Sequence, residues 1–364
     1  MQHLEIARLL ETHRAAIVEA TVGHAMHDPF WVQRFGDEIQ VRLNLDMDRN
    51  LSILIQSIRY RSPMIFEDHT RWRRDQILGF GCSGGHLRTL YMYMWHEITQ
   101  KVPEYWQPEI MGYIQEALDA LAYPNPSSQA IAEAQNQLVE TVAAATFDQH
   151  WHWVAAYGAE GRANFLYDLW YFVAYMVDTL GTSKPELMAE YLPVLRQSML
   201  ARGLSTAHLQ QVIWLFVQAM EQHLPPGPAE SGRNLLFRAS SSLNYEDETC
   251  GMLLQAQQGI MHAVAERLIA EGLAPNSPET MMEVSWYMAY TIDSLATRNT
   301  EPLAGYTRWM QQWFASQGLP DRPLHRSYDI LIETIGQALP QYAARDVLGL
   351  LQMMQRMLTA EVSV

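Results

Sequence analysis

The chain has 364 residues, of which 48% are hydrophobic and 18% charged, and its formal net charge is −15 at pH 7. This length is ample for a large hydrophobic core and is typical of two or three domains. The negative charge and the absence of Lys/Arg clusters argue against nucleic acid and against anionic membranes as partners.

The composition also points to a cellular compartment. Two cysteines, Cys82 and Cys250, are too few for a disulfide framework and favour a reducing environment. The N-terminal segment carries Glu5 and Glu11 in an amphipathic pattern, so it lacks the apolar core of a secretory signal. The longest uncharged apolar run, residues 169–177, is too short to span a bilayer. We therefore expect a cytoplasmic protein without a membrane span.

Hydrophobic residues recur near the helical period along the chain, and no useful length alternates with a period of two. The predicted fold class is therefore all-α, with essentially no β structure. In chain order the pattern predicts helices over residues 5–25, 41–58, 63–78, 86–100, 107–122, 129–153, 234–243, 246–271, 278–296, 300–317, 324–337 and 343–360, with further helices in the repeated segment that follows residue 158.

Residues 168–204 recur 115 residues downstream with 11 identities in 37 positions, where chance would give roughly two. An offset of 122 residues in the other direction pairs Trp31 with Trp153 and His86 with His208. We therefore predict three tandem helical-bundle modules, separated by the Pro-rich stretches that begin near residues 123 and 224. Their expected bounds are 1–124, 125–228 and 229–364.

The glycine-rich stretch 79–85, GFGCSGG, superficially resembles a phosphate-binding loop. It lacks the preceding strand and the Lys-Ser/Thr ending that such loops need. The equivalent turns contain single glycines, Gly203 and Gly318, which suit the left-handed position at a helix end. We predict helix C-caps and turns at all three places.

Histidines cluster at two matching junctions, where they are candidate metal ligands. His24 and His27 share a helix face and precede Asp28, while His150 and His152 occupy the corresponding place in the second module. Paired Glu-x-x-His motifs, which di-iron bundles show, are not placed symmetrically here. The alternative is that these histidines form hydrogen bonds at helix ends.

A second histidine pair, His86 and His208, opens the fourth helix of the first two modules, whereas the third module has Pro323 there. Each is a candidate axial ligand of a haem, and the alternative is an ordinary histidine beside an apolar helix.

An acidic and aromatic set recurs at identical spacing. Residues three apart on a helix lie on one face, so the Tyr and Asp tips of this set are expected to meet there. Since a buried hydroxyl needs an acceptor, we interpret the set as structural in preference to ligand-binding. Its members are Asp168, Tyr175, Asp178 and Tyr191, and, 115 residues after the last three, Tyr290, Asp293 and Tyr306.

The chain carries more aromatic side chains than single helix stripes hide, with 11 Trp and 17 Tyr. They indicate packing between modules, a pocket for a planar ligand, or a partner surface. The candidate ligand-binding residues are Trp31, Trp153, Trp170, Tyr171, Tyr175, Tyr191, His86 and His208.

Four segments resemble the helical module that precedes cobalamin-binding domains in bacterial regulator-like proteins: residues 157–162 (YGAEGR), 169–180, 190–191 and 201–204 (ARGL). The match is best in the second module. Aromatic residues around Trp170 replace the histidine of that family's Tyr-His-Leu motif, and the Asp-x-His-x-x-Gly signature of cobalamin-binding domains is absent. The resemblance implies a helical sensory or regulatory module, without implying cobalamin.

No catalytic or metal-binding signature stands out in the sequence, which requires no cofactor. We expect a non-enzymatic cytoplasmic regulatory or scaffold protein that binds a protein partner or its own copy. One alternative is a sensor or carrier of an apolar, planar small molecule such as a tetrapyrrole. A second alternative is a metal-dependent enzyme that uses the junction histidines.

Overall fold

A computed structural model describes residues 1–149 and 151–361, with the backbone alone at residues 151–157 and 360–361. Within these residues there are seventeen α-helices and two single 3₁₀ turns, and no strand. The predicted all-α fold class is confirmed.

The helices follow one another through short turns, and the 3₁₀ turns are Glu104–Trp106 and Ser241–Leu243. The α-helices are α1 (Gln2–Ala25), α2 (Pro29–Phe35), α3 (Ile39–Tyr60), α4 (Pro63–Gly79), α5 (Gly84–Thr99), α6 (Gln107–Asp119), α7 (Pro126–Glu133), α8 (Gln135–Gln149), α9 (Trp151–Thr182), α10 (Glu186–Ala201), α11 (Thr206–His223), α12 (Pro226–Ser240), α13 (Glu248–Ala270), α14 (Pro278–Thr297), α15 (Glu301–Ser316), α16 (Arg322–Ala338) and α17 (Gln341–Glu361).

Several helices begin where a short polar residue precedes a proline. Asp28 accepts a hydrogen bond from the backbone N–H of Phe30 at the start of α2, and Pro29 occupies the first helical position. Asn125 caps α7 in the same way before Pro126. A proline there sacrifices no helical hydrogen bond, because the first N–H groups of a helix have no partner within it.

The single helix predicted over residues 129–153 is wrong in its continuity, because α7 ends at Glu133 and α8 begins at Gln135. Ala134 between them adopts φ −87° and ψ 1°. The side-chain amide of Gln135 then donates to the backbone carbonyl of Trp170 in α9, at 2.9 Å. A tertiary contact accompanies this break, and neither Gly nor Pro marks it.

By its internal contacts the chain forms two compact units. Unit 1 comprises Met1–Met188 and Val217–Leu236, and unit 2 comprises Ala189–Phe216 and Phe237–Val364. Each unit draws on more than one of the predicted modules. The module bounds 1–124, 125–228 and 229–364 therefore remain a prediction about the repeated sequence, separate from this division by packing.

The predicted glycine turns are confirmed. Gly81 in unit 1, and Gly203 and Gly318 in unit 2, have φ values of 71°, 79° and 64°, in the region that favours glycine. After each glycine the next N–H reaches back across the helix end, as when the N–H of Leu204 donates to the carbonyl of Met199 at 2.9 Å. This is the Schellman arrangement, which satisfies carbonyls that the helix leaves open.

The core of unit 1 forms where α1 packs against α3 and α5. The side chains of Leu10, Met47 and Met94, one from each helix, are fully buried. Each such side chain contributes roughly 1.5–3 kcal/mol by leaving water. The same core includes Cys82, which is a free, buried thiol as expected for a small apolar residue.

The core of unit 2 forms where α13 packs against α14 and α16, and α16 against α17. Val264, Tyr328 and Leu351 are fully buried there. Cys250 at the start of α13 is likewise free and buried. Among the described residues, no helix combines the length and the apolar character that crossing a bilayer demands.

Candidate functional site

The turn between α4 and α5 is capped by its own side chains. The N–H of Gly85 donates to Ser83 Oγ at 2.9 Å, and the N–H of Ser83 donates to His86 Nδ1 at 3.1 Å. A histidine thus takes the place of the usual Glu or Gln in a capping box. Burial lowers the pKa of His86 to about 3, so the ring is neutral and Nδ1 can accept the hydrogen bond from the N–H of Ser83.

Helix α9 of the same unit supplies the remaining polar groups. Asp178 accepts hydrogen bonds from the N–H of Gly84 at 2.7 Å and from the hydroxyl of Tyr123 at 2.8 Å. The Tyr175 hydroxyl donates to the carbonyl of Gly81 at 2.8 Å. Burial raises the pKa of Asp178 to about 6, although both hydrogen bonds act in the opposite direction. We call residues 81–86, together with Tyr123, Tyr175 and Asp178, the first junction.

An arginine, which also belongs to the first junction, holds the ring of Tyr123 in place. The guanidinium of Arg74 lies 4.3 Å from the ring centroid of Tyr123, and it also donates to the carbonyl of Leu121 at 3.2 Å. Such a cation–π contact orients the ring while the hydroxyl reaches Asp178. The positive charge of Arg74 also acts to lower the pKa of Asp178.

Unit 2 contains the same arrangement, which we call the second junction. Its carboxylate is Asp293, its tyrosines are Tyr245 and Tyr290, and its capping histidine is His208. The hydrogen bonds are Thr206 N–H to Asp293 Oδ2 at 2.9 Å, Tyr245 O–H to Asp293 Oδ1 at 2.7 Å, Tyr290 O–H to Gly203 O at 2.9 Å, and Ser205 N–H to His208 Nδ1 at 3.0 Å. Arg196 lies 4.5 Å from the Tyr245 ring and donates to the carbonyl of Leu243 at 3.0 Å.

Aromatic side chains pack against both capping histidines. Within unit 1, the ring of His86 has its centroid 4.3 Å from that of Phe30 and 4.4 Å from that of Tyr171, with Trp31 edge-on at 5.5 Å. Within unit 2, His208 stacks on Trp286 at 4.1 Å and 13°. The two histidines are 3% and 4% exposed. Their rings therefore serve as helix caps and as packing surfaces.

The Tyr–Asp contact predicted within each helix is wrong. The hydroxyl of Tyr175 donates its single proton to the carbonyl of Gly81. The carboxylate of Asp178 accepts hydrogen bonds from Gly84 and Tyr123. The reason is that the preceding turn packs against α9 and presents main-chain donors and acceptors to both side chains. Tyr175 and Asp178 therefore bond to the turn between α4 and α5 and to Tyr123, and not to each other.

The structure gathers several predicted ligand-binding residues around the first junction and separates others from it. Tyr171 is buried, and its hydroxyl makes hydrogen bonds with Thr89 at 2.9 Å and with Tyr167 at 3.2 Å. Trp170 is partly buried and lies edge-on to Tyr171. Tyr191 is buried in unit 2. The predicted residues His150, His152 and Trp153 lie outside the described side chains.

Four residues of these junctions were missed by the sequence analysis. The offset of 122 residues that relates the histidines also pairs Arg74 with Arg196 and Tyr123 with Tyr245. That shared offset was the available signal. The two tyrosines stand near predicted boundaries and outside the best-matching segment, so the similarity around them is weak.

The predicted metal ligands His24 and His27 separate from one another. His24 lies in the last turn of α1, and its Nε2 is 2.9 Å from Oε1 of Glu97 in α5. His96, the residue before Glu97, lies beside these two side chains. The three ligand atoms all lie within 4.8 Å of one another. His27 instead bonds through Nδ1 to the carbonyl of Gly23 at 2.8 Å.

Unit 2 also has an open groove between α11 and the end of α12. Its volume is about 380 Å³. The aromatic walls are Trp214 and Phe237, whose residues are 52% and 49% exposed. The other lining residues are Gln210, Ile213, Ser240, Ser241 and Asn244.

The two junctions have the chemistry of structural networks, since buried donors and acceptors meet one another within each unit. The groove and the group formed by His24, His96 and Glu97 are more open and expose side chains to solvent. No known protein family, no characterised protein and no solved structure matches the chain.

Proposed function

We propose that the protein is a non-enzymatic cytoplasmic scaffold or regulator that binds a protein partner through the groove of unit 2. The observation that carries this proposal is the exposure of Trp214 and Phe237, each about half open to solvent. Aromatic residues are enriched in protein interfaces, where they form the anchors that dominate the binding energy.

The recurring residues form hydrogen bonds inside the protein, which directs the search for a partner-binding surface to other residues. In both junctions the recurring Tyr, Asp and His side chains are buried and bonded to the turns that they stabilise. Recurrence in the sequence therefore has a structural explanation. A partner-binding surface therefore lies among exposed residues, and the groove of unit 2 has such residues.

The shape of the groove favours a protein over a small molecule. A binding site usually buries 70–90% of the surface of a small ligand. The walls of this groove are themselves half exposed, so they cannot enclose a small ligand to that extent. An amphipathic helix can lay one apolar face into such a groove and cover its rim with polar residues. Gln210, Ser240 and Asn244 provide hydrogen-bonding groups at that rim. The net charge of −15 favours a partner segment with basic flanks.

The experiment compares wild type with Trp214→Ala and Phe237→Ala. Full-length tag-free protein is cross-linked in extract of its source cells, the retained protein is identified by mass spectrometry, and its affinity is then measured with purified components. Each substitution is expected to weaken binding by about 30-fold, as loss of an interface anchor worth about 2 kcal/mol would. Sedimentation of the purified protein measures self-association in the same three proteins.

Met92→Ala is the matched control. Met92 is an apolar residue of unit 1 with 40% exposure, and it lies 122 residues before Trp214. We expect this variant to bind like wild type. Equal binding by wild type, Trp214→Ala and Phe237→Ala would contradict the proposal. A bound small molecule, seen as extra mass in native mass spectrometry and lost in both groove variants, would favour a carrier of apolar ligands instead.

A further inference from the structure

We infer that His24, His96 and Glu97 form a binding site for a divalent metal ion, and that zinc fits it. The three residues stand at the ends of two packed helices of unit 1, α1 and α5. Their ligand atoms all lie within 4.8 Å of one another. This site is independent of the proposed groove, which belongs to unit 2.

The donor set has the chemistry of a metal site. Two imidazole nitrogens and one carboxylate oxygen are the protein ligands of many zinc sites that keep a fourth position for solvent. The same combination also binds other first-row metals. Zinc has no preference for geometry from its d electrons, so it tolerates a site assembled from the ends of two helices.

The burial of Glu97 argues for a cation beside it. Glu97 is only 8% exposed, and within the described part of the chain its one ion-pair partner is His24. A buried carboxylate is costly unless a positive charge or a metal ion compensates it. Among the described residues no Lys or Arg forms an ion pair with Glu97, so a cation held between its carboxylate and the two imidazoles would supply a full positive charge beside it.

The geometry needs a small adjustment, and the site allows it. Ligand atoms around a tetrahedral zinc ion with bonds of about 2.0–2.1 Å are about 3.4 Å apart. His24 Nε2 and Glu97 Oε1, at 2.9 Å, are already closer than that. His96 is exposed, so its side chain can rotate toward the other two ligands. The ring of Tyr93 packs beside that of His24, with centroids 5.5 Å apart, and helps to fix its orientation.

The test uses full-length, tag-free protein stripped with EDTA and titrated with Zn²⁺ by calorimetry. Co²⁺ is titrated separately, because the intensity of its visible absorption distinguishes a tetrahedral protein site from the octahedral aqueous ion. We expect one saturable ion per chain. His96→Ala should weaken binding by at least about 100-fold, because even residues that only orient metal ligands cost 10–100-fold when removed. His24→Ala should have a similar effect and should abolish the Co²⁺ spectrum.

His27→Ala is the matched control, because His27 lies one turn beyond His24 and, among the described residues, bonds to the Gly23 carbonyl and not to Glu97 or His96. It should bind zinc like wild type. His96 is exposed, so His96→Ala preserves the fold even where Glu97→Gln does not. The inference is overturned if wild type binds no zinc, if His96→Ala binds as tightly as wild type, or if His27→Ala loses as much affinity as His96→Ala.

Discussion

Replacing Asp178 by Asn is expected to remove one component of the pH dependence of stability in unit 1. The carboxylate is buried at the first junction, and burial raises its pKa from 3.8 to about 6. The folded protein therefore binds this proton more tightly than the unfolded chain. The resulting stabilisation is fully present below the unfolded pKa and is lost as the pH rises through about 6.

The difference between the two pKa values sets the magnitude. A shift of roughly two units corresponds to roughly 3 kcal/mol over the whole range, and to roughly 2 kcal/mol between about pH 4.5 and 7.5. Asn cannot titrate, so the free energy of unfolding of wild type should fall relative to that of Asp178→Asn by this amount as the pH rises. All other titrating groups are common to both proteins and cancel.

The protein is unfolded in urea at each pH and then labelled by pulsed hydrogen exchange at one fixed pH. The exchange of the α9 amides gives the free energy of unfolding of this helix separately from that of unit 2. Asp37→Asn, at an exposed position, controls for the loss of one negative charge from a chain of net charge −15. A difference between wild type and Asp178→Asn that stays constant with pH, or that changes in the opposite direction, would refute the reasoning.

Two further substitutions test packing by thermal denaturation. A Cβ atom on Gly181 would stand 2.2–2.7 Å from ring atoms of Tyr123, so Gly181→Ala should cost about 1–3 kcal/mol by overpacking despite its better helix propensity. Gly112→Ala, with nothing within 4 Å of the new atom, should instead gain about 0.5–1 kcal/mol, and equal effects of the two changes would contradict this account. The Tyr287 hydroxyl is buried and has no hydrogen-bond partner among the described residues, so Tyr287→Phe should raise stability by about 1–3 kcal/mol. Tyr91→Phe, which loses a hydrogen bond to Thr70, should lower it, and a loss in both variants would show that the Tyr287 hydroxyl has a partner.

The helices and their glycine turns were predictable because their causes are local. Hydrophobic periodicity reports which face of a helix is buried, and a residue such as Gly203 or Gly318 is required where the backbone turns left-handed. The break at Ala134 was not predictable, since neither a proline nor a glycine stands there. It accompanies a contact between Gln135 and the backbone of α9.

The candidate sites show the same limit. Spacing along one helix suggested that His24 would act with His27, but the packing of α1 on α5 brings it to Glu97, which is 73 positions away in the sequence. The recurrence of Tyr175 and Asp178 in the sequence indicated a structural role. Their hydrogen-bond partners lie on a turn that only the tertiary structure places beside them. Sequence periodicity reports burial, and it does not report which neighbour covers a face.

The acceptor role of the two junction aspartates bears on which positions of the two junctions can carry different residues. Asp178 binds the backbone N–H of Gly84, and Asp293 binds that of Thr206, so one interaction is kept with two different residues. Every residue except proline carries that N–H group. The same bond is therefore compatible with a glycine in one turn and a threonine in the other, whereas it requires the carboxylate in both.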